Sequence, residues 1–194
     1  MPEAWNELAL PDLYASVAQS GLVRRLLELA RDEDLGPEDR DMTGEATRSG
    51  SNDGPSTTAA VVARQAGVAA GLATIPELLS VFGVSVKAEL LAGDGDTVTP
   101  GDTLATLTGP LDEIVRVERT LLNLVGRLSG VATRTATFVR TMRAAGDTPA
   151  RLYDTRKTTP GLRVLEKYAV RCGGGCCHRM GLHDAVMFKD NHIA

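Results

Sequence analysis

The sequence has little cysteine and no long apolar run. Its three cysteines all lie between positions 172 and 177, and an odd number in one short stretch does not provide a disulfide framework. No apolar run is long enough to span a membrane, and no basic segment followed by an apolar one stands near the N-terminus. We therefore expect a protein of a reducing compartment, the cytoplasm, without a membrane partner.

An excess of positive charge is also missing. The formal net charge is −4 at pH 7, which argues against nucleic acid as a partner because long polyanions need a wide basic face. The charge is unevenly spread, however: residues 151–192 contain eight Lys or Arg, four Asp or Glu and all three histidines. A cationic segment on an acidic body favours a small polyanionic ligand.

The N-terminal part predicts short helices between about residues 4 and 30, because Leu22, Leu26 and Leu29 recur at helical spacing. Residues 31–56 then collect acids, glycines and serines, which is typical of an exposed connection.

From residue 57 onward, short β-type runs are separated by glycine turns. The run "GDTVTPGDTL" at 95–104 resembles a lipoyl- or biotinyl-type β-module. A carrier module of that type displays a lysine at a hairpin tip, whereas Lys87, the only lysine before Lys157, lies in a strand-like run. A structural module is therefore favoured over a carrier.

The clearest helical segment lies between residues 110 and 146. Its apolar stripe consists of Leu121, Leu124, Leu128 and Val131. Gly126 and Gly130 weaken the helix propensity and predict a close approach to another backbone. Arg119 lies on a polar stripe with Asn123 and Arg127, which by itself indicates a solvated face.

The C-terminal segment predicts a strand ("ARLYDT"), a helix beginning at Pro160 ("PGLRVLEKYAVRC") and a second strand ("DAVMF"). This alternation favours a parallel α/β arrangement. Ligands of such folds bind where strands end. Arg156 and Lys157 after the first strand and Lys189 after the second are therefore predicted to face one anion-binding pocket.

The stretch "RCGGGCCHRMGL", residues 171–182, has several possible interpretations. Cys172, Cys176, Cys177 and His178 could bind zinc, although structural zinc sites usually draw ligand pairs from two places in the chain. A cysteine nucleophile beside His178 is a second possibility. A third is ordinary packing, since Cys172 continues the apolar stripe of the preceding helix and the glycines suit a helix end.

Several of these motifs together resemble the quinolinate phosphoribosyltransferase family, also called carboxylating nicotinate-nucleotide pyrophosphorylases. The resemblance is carried by "ERTLLNLVGRLSGVATRT", "DTRKTTPGLR", "KYAVRCGGG" and "HRMGLHDAVMFKDNHI", and it covers nearly the whole chain. It implies an α/β fold: an N-terminal α+β sandwich domain (1–112), followed by the first part of an α/β barrel (113–194).

The resemblance implies an enzyme, a pentosyltransferase of NAD biosynthesis. It would transfer the phosphoribosyl group of phosphoribosyl pyrophosphate to quinolinate with decarboxylation, giving nicotinate mononucleotide, pyrophosphate and CO2. A paralogue acting on a different acceptor is the alternative.

The resemblance also assigns site residues. Thr155, Arg156, His178 and Arg179 would bind the quinolinate carboxylates. Lys157 would face phosphoribosyl pyrophosphate and Lys189 would lie between the two substrates, and these two lysines are the expected catalytic residues. Arg119 resembles an arginine that reaches the neighbouring subunit's site, which implies a homodimer. Magnesium (Mg²⁺) would arrive with the substrate, with its acidic ligands outside these 194 residues and no metal ligand within them.

The chain departs from the family pattern in two ways. Cys177 stands before the "HR" pair, where a small polar residue such as asparagine or serine is usual. Family members continue for about as many strands again, so the chain resembles a C-terminally truncated member whose barrel begins without closing. It is either a fragment of a longer protein or a truncated gene product; as a truncated product it would be unstable and inactive, with at most a binding role.

Overall fold

The computed structural model describes residues 2–36, 38, 40–42, 56–146 and 149–188. Its helices are α1 (Pro2–Glu7), α2 (Leu10–Gln19), α3 (Leu22–Leu35), α4 (Ile75–Phe82), α5 (Leu111–Ala144) and α6 (Arg163–Cys172). Its strands are β1 (Ser56–Val62), β2 (Gly67–Val68), β3 (Lys87–Leu90), β4 (Thr97–Val98) and β5 (Thr103–Pro110). A 3₁₀ turn at Leu72–Thr74 precedes α4. Within these ranges, no helix combines the length and the apolar character needed to cross a bilayer.

The predicted β-rich module consists of two small antiparallel sheets. In the larger sheet β5 lies between β1 and β3, and in the smaller one β2 pairs with β4. The inward side chains Leu104, Ala105 and Leu107 of β5 are buried. Lys87 is exposed within β3, opposite Thr108, rather than at a hairpin tip. The structural module is thus confirmed and the carrier interpretation is wrong.

Helices α2 and α3 cover the core, but the buried stripe of α3 differs from the prediction. Val23 and Leu27 are fully buried, whereas Leu22 is 44% exposed and Leu29 is 65% exposed. Two apolar stripes overlap on α3, and either could face inward by periodicity alone. Packing of α3 against α2 and α4 decides which stripe is buried.

Helix α5 is 34 residues long, and it follows β5 directly. Its predicted stripe is confirmed: Leu121 and Leu128 are buried. The close approach predicted at Gly126 and Gly130 is wrong, because no described neighbouring atom lies within 4 Å of a Cβ built at either. The approach occurs instead at Gly173, just after α6, where an added Cβ would lie 2.3 Å from the carbonyl oxygen of Ala132 on α5.

Helix α6 begins at Arg163 rather than at Pro160. Gly161 has a φ of +82°, which is outside the right-handed helical region, so residues 160–162 form a turn. Val164 to Ala169 are all buried, and the Tyr168 hydroxyl donates a hydrogen bond of 2.8 Å to Asp94 of the β-module. The helix is therefore enclosed on every side.

The predicted strands around α6 are formed only in part. The first is reduced to a single parallel bridge between Tyr153 and Cys176, the only parallel pairing in the described residues. The second is not formed: residues 184–188 have no strand partner within the described ranges, and Val186 and Phe188 are exposed. Because a strand gains its backbone hydrogen bonds only by pairing, an apolar run without a neighbour stays irregular.

Candidate active site

The turn after Tyr153 presents three polar side chains. Thr155 and Lys157 are exposed and Arg156 is half-buried. The Thr155 hydroxyl closes the turn by accepting the N–H of Lys157 at 3.1 Å. The Nε of Arg156 is buried and has no hydrogen-bond acceptor among the described residues. Since an unsatisfied buried donor costs about 1–3 kcal/mol, this turn favours an anionic ligand.

A buried ion pair joins this turn to the turn that carries His178 and Arg179. The ammonium group of Lys167, on α6, contacts the carboxylate of Asp154, and their side chains are 1% and 5% exposed. Lys167 Nζ also donates to the carbonyl oxygen of His178 at 3.0 Å. Asp154 Oδ1 accepts the N–H of His178 at 2.8 Å. Burial raises the pKa of Asp154, against the opposing effect of the hydrogen bond from Lys167.

Motif reasoning missed Lys167 and did not assign Asp154 to the site. Asp154 is the first residue of "DTRKTTPGLR" and Lys167 is the first residue of "KYAVRCGGG", so both lie in stretches that carry the family resemblance. Nothing in the run "VLEKYAV" marks its lysine as buried, because lysine is almost always exposed unless it is paired.

His178 and Arg179 differ in how they are held. His178 is half-buried, and its Nδ1 accepts the backbone N–H of Arg179 at 2.8 Å. The proton of the neutral ring is then on Nε2, which can donate to a carboxylate. Arg179 is 9% exposed and donates from Nη1 to the carbonyl oxygen of Ala185 at 3.0 Å.

The other predicted site residues lie elsewhere. Within the described part of the chain, no hydrogen bond joins Thr155 or Arg156 directly to His178 or Arg179, so the two turns meet through Asp154 and Lys167. Arg119 is exposed on α5 and lines a separate groove of about 470 Å³ with residues of α3 and the 160–162 turn. Lys189 lies outside the described residues.

A second ion pair ties α5 to the turn before α6. Arg127 donates to Glu166 Oε1 at 2.6 Å and to the Thr159 hydroxyl at 2.9 Å. Glu166 also accepts the N–H of Thr159 at 3.0 Å. Burial acts to raise the pKa of Glu166, but the hydrogen bonds from Arg127 and Thr159 outweigh it and hold that pKa below its usual range. The polar stripe predicted to be solvated is therefore partly a structural contact.

The cysteines pack in the interior. All three are free and buried. The Cys177 thiol donates a weak hydrogen bond to the carbonyl oxygen of Lys167 at 3.7 Å. Burial, followed by the negative charge of Asp154, raises the pKa of Cys177 to about 12, and burial raises that of Cys172 to about 12. Because the thiolate is the reactive form, neither of these two is a nucleophile at neutral pH.

The described residues offer no metal-binding cluster. No group of three or more His, Cys, Asp or Glu side chains among them could hold a metal ion. Zinc binding by the cysteine loop is therefore contradicted within these ranges. Magnesium likewise finds no set of acidic ligands among the described residues.

The first helix holds the residue that precedes His178. Asn6 Oδ1 accepts the N–H of Cys177 at 2.7 Å, and Asn6 Nδ2 donates to the carbonyl oxygen of Cys177 at 3.0 Å. Arg171 strengthens the contact by donating to the carbonyl oxygens of Trp5 and Leu8. The two sides are more than 160 residues apart in sequence, and no local pattern predicts their contact.

Two family models match adjoining parts of the chain. The quinolinate phosphoribosyl transferase N-terminal domain matches residues 41–129, and the C-terminal domain of the same family matches residues 131–194. The chain belongs to the quinolinate phosphoribosyltransferase family. Both turns of the candidate site lie within the C-terminal match.

Curated proteins with similar sequences support this assignment to the quinolinate phosphoribosyltransferase family. The chain is 46% identical over 162 residues to a probable carboxylating nicotinate-nucleotide pyrophosphorylase of Bacillus subtilis (strain 168), covering 84% of this chain and 53% of that protein. A Synechocystis protein of the same name is 51% identical over 132 residues, covering 68% and 44%. The chain thus spans about half the length of the curated relatives it matches.

Solved structures show the same fold in this family. The nicotinate-nucleotide pyrophosphorylase from Francisella tularensis superposes with a TM-score of 0.79 at 34% identity, over 89% of this chain and 59% of the other. NadC from Streptococcus pyogenes gives a TM-score of 0.76 at 38% identity, over 86% and 57%. The family's architecture, an N-terminal sheet domain followed by an α/β barrel, agrees with the predicted fold class.

Proposed function

We propose that the protein containing this chain transfers the phosphoribosyl group of phosphoribosyl pyrophosphate to quinolinate. The ring nitrogen of quinolinate would bond to the anomeric carbon as pyrophosphate leaves with the bonding electron pair. The carboxyl group next to the nitrogen would leave as CO2, and its ring carbon would take up a proton. The buried Nε of Arg156, which has no acceptor among the described residues, carries this proposal, because a substrate carboxylate would supply that acceptor.

The surrounding donors suit a dicarboxylate. Thr155 and Arg156 would bind one carboxylate, and His178 Nε2 with Arg179 would bind the other. Lys157 is exposed at the edge of the same turn and would face the phosphate groups. Lys189 would lie between the substrates. Magnesium would accompany the pyrophosphate, held by residues other than those described.

The position of Arg119 supports a homodimer with shared sites. Arg119 is exposed and lines its own groove rather than the turns of the candidate site, as an arginine serving a neighbouring subunit would. If Arg119→Ala and Arg156→Ala chains are mixed, half of the dimers pair one of each, and each such dimer contains one intact site. Activity should then recover to about a quarter of that of the unaltered protein. Recovery to no more than the sum of the two parents would exclude sharing.

The enzymatic proposal is tested by measuring quinolinate-dependent release of pyrophosphate and CO2 from the protein as its gene encodes it. Arg156→Ala should lower the rate by on the order of 10²-fold, since it removes a preorganised donor. Arg151→Ala, an exposed arginine just before the turn, serves as the matched control. Turnover of a different acceptor in place of quinolinate, or full activity of Arg156→Ala, would overturn the proposal.

A further inference from the structure

We propose that the buried Asp154–Lys167 ion pair is a positioning device that sets the spacing between the two halves of the carboxylate clamp. The identity of the ligand in this inference rests on the proposed function. Lys167 itself cannot touch a ligand, because its side chain is 1% exposed and faces Asp154. Its effect must therefore pass through the residues that it holds.

The pair is connected to both halves of the clamp within one residue. Asp154 directly precedes Thr155 and Arg156 in the chain. On the other side, the pair occupies both backbone polar groups of His178: Asp154 Oδ1 accepts its N–H at 2.8 Å, and Lys167 Nζ donates to its carbonyl oxygen at 3.0 Å. A shift of either charged group would therefore move the two turns relative to each other.

Stability alone does not account for this pair. Desolvating two charges is costly, and replacing a buried ion pair with apolar side chains is often neutral or stabilising. An apolar pair would, however, leave the N–H and carbonyl groups of His178 without these partners. Because the two charges cancel, the pair also orients the clamp without adding net charge to it.

The Tyr153–Cys176 bridge alone does not fix the position of His178 relative to the first turn. The bridge fixes the backbone at Tyr153 and Asp154, and the Asp154 N–H donates to the carbonyl oxygen of Cys176 at 3.0 Å. The peptide groups of His178 lie two residues beyond the bridge. The side chains of Asp154 and Lys167 bind the N–H and the carbonyl oxygen of His178, while Asn6 binds the carbonyl oxygen of Cys177 in the preceding peptide group.

The test compares Lys167→Met with the double variant Asp154→Asn/Lys167→Met in the protein as its gene encodes it. The single variant leaves a buried carboxylate unpaired and can unfold, whereas the double variant has no unpaired charge, and its new amide oxygen can still accept the His178 N–H. Lys87→Met, at an exposed position on β3, is the control. Quinolinate binding is measured by titration calorimetry, and hydrogen exchange of the His178 amide is measured by NMR.

We expect the double variant to bind quinolinate with a Kd raised at least about tenfold, because displacement of clamp groups by a fraction of an ångström is enough for such losses. The number of sites per folded chain should stay unchanged. A merely structural role would lower the number of sites and leave the Kd of the folded fraction as it was. In Lys167→Met the His178 amide should exchange faster than in the control.

Two results would contradict the proposed roles. An unchanged Kd in the double variant would overturn the positioning role while leaving the proposed function intact. A complete lack of quinolinate binding by the unaltered protein would overturn the proposed function and the clamp together.

Discussion

Asn6 offers a quantitative test of how the N-terminal helix supports the candidate site. The Asn6→Ala change removes both hydrogen bonds to the backbone of Cys177, which measure 2.7 and 3.0 Å. Cys177 is 1% exposed, so water cannot readily replace the lost partners. A buried group left unsatisfied costs about 1–3 kcal/mol, and two such groups with partial relaxation give an expected loss of about 2–4 kcal/mol in the free energy of unfolding.

Asn6→Asp separates the two hydrogen bonds. Its carboxylate can still accept the N–H of Cys177, but its second oxygen faces the carbonyl oxygen of Cys177 and cannot donate when ionised. This raises the pKa of the new carboxyl group in the folded state. The variant should therefore lose stability as pH rises from the carboxyl's unfolded pKa to its folded pKa, and recover at lower pH, where the protonated carboxyl donates.

The assay is urea unfolding followed by fluorescence and circular dichroism. Trp5 is the only tryptophan and lies beside Asn6 in α1, so its emission reports on the helix that is perturbed. For a chain of this size the expected loss lowers Tm by about 5–15 °C. Asn123→Ala, on the exposed face of α5, is the control. An unchanged unfolding midpoint in Asn6→Ala would refute the reasoning, as would an Asn6→Asp variant that gains stability with rising pH.

Three further predictions concern glycine packing, an ion pair and a thiol. Gly173→Ala should lower the free energy of unfolding by about 1–3 kcal/mol, because the new Cβ meets Ala132 on α5. Gly126→Ala, in open space on α5, should instead raise it by up to about 1 kcal/mol. Equal effects of the two changes in urea unfolding would contradict the packing argument. Glu166→Gln should cost about 1–2 kcal/mol at neutral pH. Because the pKa of Glu166 is lowered in the folded state, the unaltered protein should lose the stability that ionised Glu166 contributes as pH falls through that pKa. The variant should show no such loss. Parallel curves of unfolding free energy against pH for the two proteins would contradict this prediction. The Cys177 thiol, whose pKa is about 12, should react with a thiol reagent only after unfolding, and rapid labelling of the native protein would show the burial to be wrong.

The site residues that the motifs assign remain a prediction, but the structure shows how they are grouped. Thr155, Arg156 and Lys157 lie in one turn, and His178 and Arg179 lie in another. The relation between the two turns was not predictable. It depends on Lys167, whose partner Asp154 lies 13 residues away and whose burial contradicts the usual exposure of lysine.

Some errors had a common origin. The strand at 184–188 was predicted from an apolar run, and the helix start at Pro160 was predicted from residue preference. A strand also needs a neighbour, and a helix start is displaced when the next residue, Gly161, adopts a positive φ. The strand's neighbour lies outside the residues that a local pattern samples, and the residue type of Gly161 permits a positive φ without requiring it.

The sequence by itself determined the helical period of α5, the glycine-separated strands of the β-module and the residues of the two site turns. These properties depend on neighbours within a few positions, where side-chain spacing and backbone preference act directly. Only the tertiary structure decided which stripe of α3 is buried, that Gly173 rather than Gly126 touches a second helix, and that Asn6 holds Cys177 across 171 residues. Each of these depends on which surfaces meet, and the free energy of a buried contact depends on both partners at once.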